Sequence, residues 1–152
     1  MIRIREPGED DLAFLGEMLY AALDWRADGE LPPPEWVLAH PQVSIFHEHW
    51  GREGDNGVVG EDGGRPIGAV WYRFFTEDEH GEGYVDEQTP ELAIAVIAGY
   101  RGQGVGRRLM EAMHERARGS SLARISLSVD LDNPDTRGSD TRISSRVTVT
   151  IG

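Results

Sequence analysis

The chain has 152 residues, of which 39% are apolar and 28% are charged, and this length and composition are typical of one globular domain. It contains no cysteine, which excludes disulfides, thiolate metal sites and cysteine nucleophiles, and its formal charge of −12 argues against general affinity for nucleic acid. Because no run approaches the roughly 20 apolar residues of a membrane span and residues 1–11 do not resemble a signal peptide, we expect no membrane association and a cytoplasmic location.

The N-terminal third predicts one strand followed by helices. Met1 to Arg5 alternates apolar and basic residues as a short strand does, and the stretch from Leu12 to Leu23 has apolar residues at helical spacing. Pro32 to Pro34 can open a second helix that runs through Ala39, because proline is tolerated in the first helical turn. Pro41 should interrupt that helix, so we expect an irregular helical cap.

The middle of the chain predicts a hairpin and a loop. Two strand-like runs, Val58–Val59 and Pro66–Phe75, are joined by the turn residues Glu61–Gly64. The next segment, Thr76–Pro90, is acidic and contains glycines, which is typical of a solvent-facing loop.

The second half predicts a strand, a helix and another strand. Leu92–Ala98 is apolar at nearly every position, as a central strand buried on both faces is, and Ile125–Val129 alternates apolar and serine residues. The helix between them, Gly104–Arg118, has an apolar stripe and can end at Gly119. A helix between two strands makes those strands parallel, and the whole chain therefore predicts an α/β fold with a mixed central sheet flanked by helices.

A glycine-rich turn, Tyr100–Gly106, lies between the central strand and this helix. The first N–H groups of a helix have no intrahelical partner and carry a partial positive charge, so the turn favours an anion such as a pyrophosphate. Arg101, Arg107 and Arg108 surround it. The alternative is a tight turn with solvated arginines. The glycine spacing fits neither the dinucleotide fingerprint nor the nucleotide P-loop.

These segments together resemble the GNAT superfamily of acetyl-CoA-dependent N-acetyltransferases. Glu91-Leu-Ala-Ile-Ala-Val96 followed by Arg101-Gly-Gln-Gly-Val-Gly106 and Leu109 is similar to its coenzyme A signature, Arg/Gln-x-x-Gly-x-Gly/Ala, and the order of elements agrees over most of the chain. The resemblance implies transfer of an acetyl group from acetyl-CoA to a primary amine of a small molecule or a protein, without a metal. Family habit also implies a homodimer.

The resemblance further implies which residues form the site. The backbone of Gln103 to Arg107 would hold the pyrophosphate, the strand backbone near Val96 to Ala98 would hold the pantetheine and thioester, and Asn133 would line the cofactor. The full set of implied cofactor residues is Val96, Ile97, Ala98, Arg101, Gly102, Gln103, Gly104, Val105, Gly106, Arg107 and Asn133. Glu91 is the candidate catalytic base, acting directly or through water. Its alternative role is that of a surface carboxylate at the edge of a strand.

Three further groups of residues bear on the acceptor side. The acidic segment can rim an entrance that attracts a cationic amine, or it is simply solvated; its members are Glu77, Asp78, Glu79, Glu82, Asp86 and Glu87. The four tryptophans can line an acceptor pocket, although large aromatics usually pack in a core; they are Trp25, Trp36, Trp50 and Trp71. His47-Glu48-His49 lacks the spacing of a zinc helix motif and is interpreted as a surface cluster.

The resemblance fails after Asn133. Residues 134–152 contain no tyrosine, the residue that often serves as general acid in the family, and only Arg146–Ile151 alternates as a strand does. We therefore divide the chain into a GNAT-like domain at 1–133 and a divergent or disordered tail at 134–152. Three explanations of the tail are open. It is a natural divergent sequence, a segment whose missing part a partner subunit supplies, or the product of translation in a shifted reading frame. The alternative function is a catalytically impaired coenzyme A binding module with a regulatory role, and a plain phosphate-binding domain is a further alternative.

Overall fold

The computed structural model describes residues 2–23, 32–81, 83–130 and 144–151. Within these ranges the chain forms six strands and four α-helices. In chain order they are β1 (Ile2–Arg5), α1 (Leu12–Leu23), α2 (Pro34–Ala39), α3 (Pro41–Ser44), β2 (Asn56–Asp62), β3 (Arg65–Arg73), β4 (Glu91–Val96), α4 (Val105–Gly119), β5 (Arg124–Asp130) and β6 (Ser144–Thr150).

The six strands form one sheet in the order β1-β2-β3-β4-β5-β6. Neighbouring strands are antiparallel except β4 and β5, which are parallel because α4 carries the chain back between them. The predicted α/β fold with a mixed central sheet is confirmed.

Each face of the sheet is covered by helices. The α4 face contains Val58, Val70 and Leu92 together with Leu109 and Met113 of the helix. The opposite face packs against α1, and its buried residues are Leu15, Met18, Leu19, Val59, Ala69, Trp71 and Ala95. Because side chains alternate along a strand, Glu91 lies on the same face as Ala95, the α1 face. This alternation determines to which side of the sheet each functional side chain points.

Most predicted elements are present, with shifted bounds. Pro41 begins the short helix α3 rather than only interrupting the preceding one, because His40 accepts a hydrogen bond from the Gln42 N–H and caps it. Glu61 and Asp62 belong to β2, so the hairpin turn is reduced to Gly63 and Gly64, both at positive φ.

The strands at the centre and the end of the sheet also differ from the prediction. β4 ends at Val96, two residues earlier than predicted, and a 3₁₀ turn at Ala98–Tyr100 follows it. The alternating residues near the end of the chain form β6, which pairs with β5 over its whole length. The proposed division of the chain at residue 133 stays a prediction.

None of the helices in the described part of the chain has the length and apolar character needed to span a bilayer.

Candidate active site

The two parallel strands at the centre of the sheet, β4 and β5, are paired only near the start of β4 and then separate. Among the described residues, Glu91 and Ser126 are the one register pair between β4 and β5, and the Ser126 N–H donates to the Pro90 carbonyl at 2.9 Å. Towards Val96 the edge of β4 that faces β5 has no strand partner in the described chain. Backbone polar groups on such an edge remain available to an extended ligand.

The glycine turn lies at the carboxyl end of β4, where the strands are apart. Gly102 has φ 76° and Gly104 has φ 84°, a left-handed conformation that favours glycine. Gly104 is the N-cap of α4, and no side chain of the described residues caps the helix there. The first turn contains no acidic residue, so the N–H groups of Val105, Gly106 and Arg107 point out of the helix end without a neutralising carboxylate.

Side chains around the turn fix its shape. The Arg101 Nε donates to the Val96 carbonyl at 3.0 Å, and the Gln103 side-chain amide donates to the Gly99 carbonyl at 3.0 Å. The Tyr100 hydroxyl donates to Asp62 at 2.6 Å, and this hydrogen bond raises the pKa of Tyr100 and lowers the pKa of Asp62. The turn is therefore held on both sides before any ligand arrives.

Six of the eleven predicted cofactor residues, Arg101 to Gly106, lie together in this turn, and Val96 is the last residue of β4. Ile97 and Ala98 follow the end of β4, and the Ile97 N–H donates to the Ile67 carbonyl of β3 at 2.9 Å. Arg107 extends into solvent and pairs with Glu111 at 3.2 Å, one helical turn further on. Asn133 lies outside the described residues.

Glu91 lies at the opposite end of β4, about 17 Å from Val96 along an extended strand. It is 2% exposed, so the alternative that it is a surface carboxylate is wrong. One carboxylate oxygen accepts the Gly81 N–H at 2.6 Å and the other accepts the Gly83 N–H at 3.1 Å. These glycines were not predicted as site residues, although two glycines one residue apart in an acidic loop are a signal that could have identified them.

The backbone at Gly81 is in close contact with its surroundings. A Cβ atom at this position would lie 2.5 Å from Phe46 Cζ and 2.6 Å from Glu91 Oε2. Phe46 also contacts Phe75 edge to face, with ring centroids 5.2 Å apart. The loop that follows β3 is thereby fastened to β4 and to the segment after α3.

The segment after α3 is fastened by Arg73, the register partner of Glu91 on β3. The Arg73 guanidinium is completely buried, forms two hydrogen bonds with Asp55 at 2.8 and 2.9 Å, and also donates to the carbonyls of Ile45 and Glu48. It lies 5.6 Å from the Trp50 ring centroid. This buried cation was missed because nothing in the sequence separates it from the other arginines.

The acidic segment is a loop at this same end of the sheet. Glu77, Asp78 and Glu79 are exposed, and Glu79 lies 3.8 Å from Arg52. Asp86 differs from these exposed carboxylates because it forms a direct hydrogen bond, in which Arg124 donates to its carboxylate at 2.8 Å. Glu82 lies outside the described residues.

The tryptophans that the structure describes differ in their surroundings, although Trp50 packs against the core cluster that contains Trp71. Trp71 is buried in the core and its indole N–H donates to the Phe46 carbonyl at 2.7 Å, whereas Trp36 is 73% exposed. Trp25 lies outside the described residues. Within the described ranges of the chain, no three histidine or carboxylate side chains are grouped as metal ligands.

Sequence comparison matches residues 19–138 to the family model described as the acetyltransferase (GNAT) family. This match contains the central strands, the glycine turn and α4. No curated protein is significantly similar to the chain in sequence.

Solved structures with the same fold are numerous. A ribosomal-protein-alanine N-acetyltransferase from Brucella melitensis is 24% identical with a TM-score of 0.61, and the match covers 89% of this chain and 78% of that one. A GNAT family acetyltransferase from the same organism, solved in complex with acetyl-CoA, is 17% identical with a TM-score of 0.62, covering 100% and 89%. A putative acetyltransferase from Salmonella typhimurium, solved with its cofactor acetyl-CoA, is 16% identical with a TM-score of 0.65, covering 100% and 95%.

Proposed function

The chain belongs to the GNAT acetyltransferase family, and from this premise we propose that it transfers an acetyl group from acetyl-CoA to a primary amine. The observation that carries the proposal is the amino end of α4, which has two left-handed glycines, no side-chain cap and no carboxylate in its first turn, and lies at the carboxyl end of β4 where β5 no longer pairs with it. The two acetyl-CoA complexes with the same fold support the choice of cosubstrate.

The residues present fit a pyrophosphate at the glycine turn. The backbone N–H groups of Gln103 to Arg107 would hold it, because glycines at 102, 104 and 106 leave the backbone open to close approach. Arg101 contributes by bracing the turn through the Val96 carbonyl, and the exposed Arg107 adds positive charge nearby.

From the glycine turn, the pantetheine arm would follow the open edge of β4 towards Glu91 and so carry the thioester to the acceptor side. Backbone groups near Val96 to Ala98 are candidates to hold it, except the Ile97 N–H, which is already bonded to β3. Asn133 is retained as a candidate that lines the cofactor. When bound, acetyl-CoA supplies the acetyl group as a thioester. The protein must hold the acceptor amine beside it in the unprotonated form.

We assign the acceptor side to the end of β4 that carries Glu91. Its carboxylate is buried and accepts two backbone N–H bonds, so it would influence the amine through a water molecule or a neighbouring group rather than by direct contact. The exposed carboxylates Glu77, Asp78 and Glu79 support a cationic acceptor, because they add negative potential around this end of the sheet.

Calorimetric titration with acetyl-CoA tests the cofactor site. Gly106→Glu places a negative charge in the first turn of α4, and the site has room for the side chain, because a Cβ added at Gly106 would lie 3.9 Å from its nearest neighbour, a Val96 methyl group. We expect at least about tenfold weaker binding, or roughly 1.4 kcal/mol. Gly106→Gln is the matched neutral control and should lose less. Absence of binding by the unmodified protein would contradict the proposal.

Thiol release from acetyl-CoA tests the acceptor class. The probes are spermidine, a peptide with an N-terminal alanine, and a lysine peptide with a blocked N-terminus. We expect at least one to accelerate thiol release above the rate in its absence. Binding of acetyl-CoA without acceleration by any of the three would instead support the impaired coenzyme A binding module.

A further inference from the structure

His80 is an exposed histidine directly beside the glycine whose N–H binds Glu91. Resting on the proposed acetyl transfer to an amine, we propose that His80 is the catalytic base that receives the proton of the acceptor ammonium group, and that Glu91 positions it.

The tautomer of His80 is determined by its hydrogen bond. Its Nδ1 lies 2.7 Å from the Gly81 carbonyl oxygen. A carbonyl oxygen only accepts, so Nδ1 must carry the proton and donate it. In the neutral ring Nε2 is then left with a lone pair, which is the atom that a base requires.

Glu91 holds the loop backbone beside His80 and does not itself contact the substrate in this proposal. Its two oxygens accept the Gly81 and Gly83 N–H groups at 2.6 and 3.1 Å, and its side chain is buried. The Gly81 N–H binds Glu91 and the Gly81 carbonyl binds His80, so one glycine residue connects the buried carboxylate to the exposed imidazole. Movement of Gly81 is restricted by Phe46, which packs against it.

Tyr84 holds the plane of the imidazole. The two rings stack with centroids 4.2 Å apart and an interplanar angle of 14°. The carboxylates that act electrostatically on the stacked Tyr84 are Glu77, Asp78, Asp86 and Glu87. The other charged groups near this loop are Glu79 beside Arg52, Arg124 paired with Asp86, and Glu91. The carboxylates favour a cation at this place, which suits an ammonium substrate.

The proposed step conserves protons and electrons. An ammonium group loses one proton to Nε2 of His80, and the resulting amine nitrogen attacks the thioester carbonyl carbon. A C–N bond forms, the C–S bond breaks, and the second proton of the nitrogen goes to the departing sulfur as the thiol. His80 then releases its proton to solvent, so the net products are the amide, coenzyme A and one proton.

The test combines kinetics with a substrate-free measurement. In His80→Gln we expect kcat/KM for the three probe amines to fall about 10²-fold near neutral pH, within the range of general base catalysis. The pH profile of the variant should differ from that of the unmodified protein, because its activity should follow the fraction of unprotonated amine in solution. His49→Asn removes another exposed histidine and should retain the rate and the pH profile of the unmodified protein. Nitrogen-15 NMR of labelled histidine should show His80 protonated at Nδ1.

The outcomes separate the two proposals. If His80→Gln retains the unmodified rate and pH profile while thiol release persists, His80 is not the base. A neutral His80 protonated at Nε2 would overturn the assignment regardless of activity. Failure of all three amines with the unmodified protein contradicts the amine acetyl transfer itself, and the role of His80 with it. Unchanged acetyl-CoA binding in His80→Gln distinguishes loss of the base from loss of folding.

Discussion

At the residue scale, the acceptor side depends on a buried cation that no sequence pattern identifies. Arg73 has no exposed surface, and its partner Asp55 has a side chain that is 2% exposed. A charge in such a place is tolerated only when its hydrogen bonds are satisfied, and Arg73 meets this condition with Asp55 and two carbonyls. The pair therefore ties the segment after α3 to the end of β3.

Breaking this pair from one side should be costly. We expect Asp55→Asn to lower the free energy of unfolding by about 3 to 5 kcal/mol, because a buried guanidinium loses its counter-charge. Urea denaturation measures the change. The matched control is Glu111→Gln, which breaks the exposed Arg107–Glu111 pair and should change stability by less than about 1 kcal/mol. Equal effects of the two substitutions would contradict the role of Arg73.

His47 should make folding sensitive to mild acid. Burial lowers the pKa of His47, and this effect together with the nearby Arg73 outweighs the opposing influence of the Ser44 backbone and Glu48. The unfolded chain then binds more protons, so the contribution is complete above the ordinary histidine pKa of about 6.5 and is lost as the pH falls below it. We expect the Tm of the unmodified protein to fall more between about pH 7.5 and 5.5 than that of His47→Gln. Parallel changes in Tm would show that His47 does not contribute.

At the scale of elements, the predicted parts are those with local periodicity. The helix α4 begins within one residue of its predicted start, because its apolar stripe and the flanking glycines define both ends. β4 and β5 were predicted from composition, and a split beside β4 was implied by the family resemblance. The register at which the strands part was not predicted, since it depends on where α4 and β6 place β5. The contact of Gly81 and Gly83 with Glu91 was also not predictable, because it joins backbone groups to a side chain across a loop.

Gly81→Ala tests how tightly the loop is held against its neighbours. The added Cβ would approach Phe46 Cζ and Glu91 Oε2 at 2.5 and 2.6 Å, so one of them must move. We expect a loss of about 1 to 3 kcal/mol of stability in urea denaturation, the usual cost of overpacking. Gly99→Ala is the control, because nothing in the described chain lies within 4 Å of its Cβ position. If both variants were equally stable, the loop would be free to adjust and could not hold Glu91.

At the scale of the whole molecule, the proposed function gives the two ends of β4 different tasks. Its carboxyl end meets the glycine turn, where uncapped N–H groups suit an anion. Its amino end carries the buried Glu91 below a loop of exposed carboxylates, which suits a cation. A net charge of −12 then favours approach of the amine and opposes approach of acetyl-CoA, so the local field of the turn must overcome the general field of the protein.

This arrangement predicts opposite salt effects on the two substrates. Raising the ionic strength from about 0.02 to about 0.3 M shortens the Debye length, which screens the long-range field of the net charge and of the acidic loop more than the short-range contacts within the glycine turn. We expect the KM for spermidine to increase several-fold and the KM for acetyl-CoA to decrease. Glu77→Gln combined with Asp78→Asn should weaken the effect on spermidine, whereas Glu9→Gln combined with Asp10→Asn removes the same charge elsewhere and should weaken it less. A salt-independent KM for spermidine would mean that the acidic loop is solvated surface and that acceptor recognition depends on contacts deeper in the site.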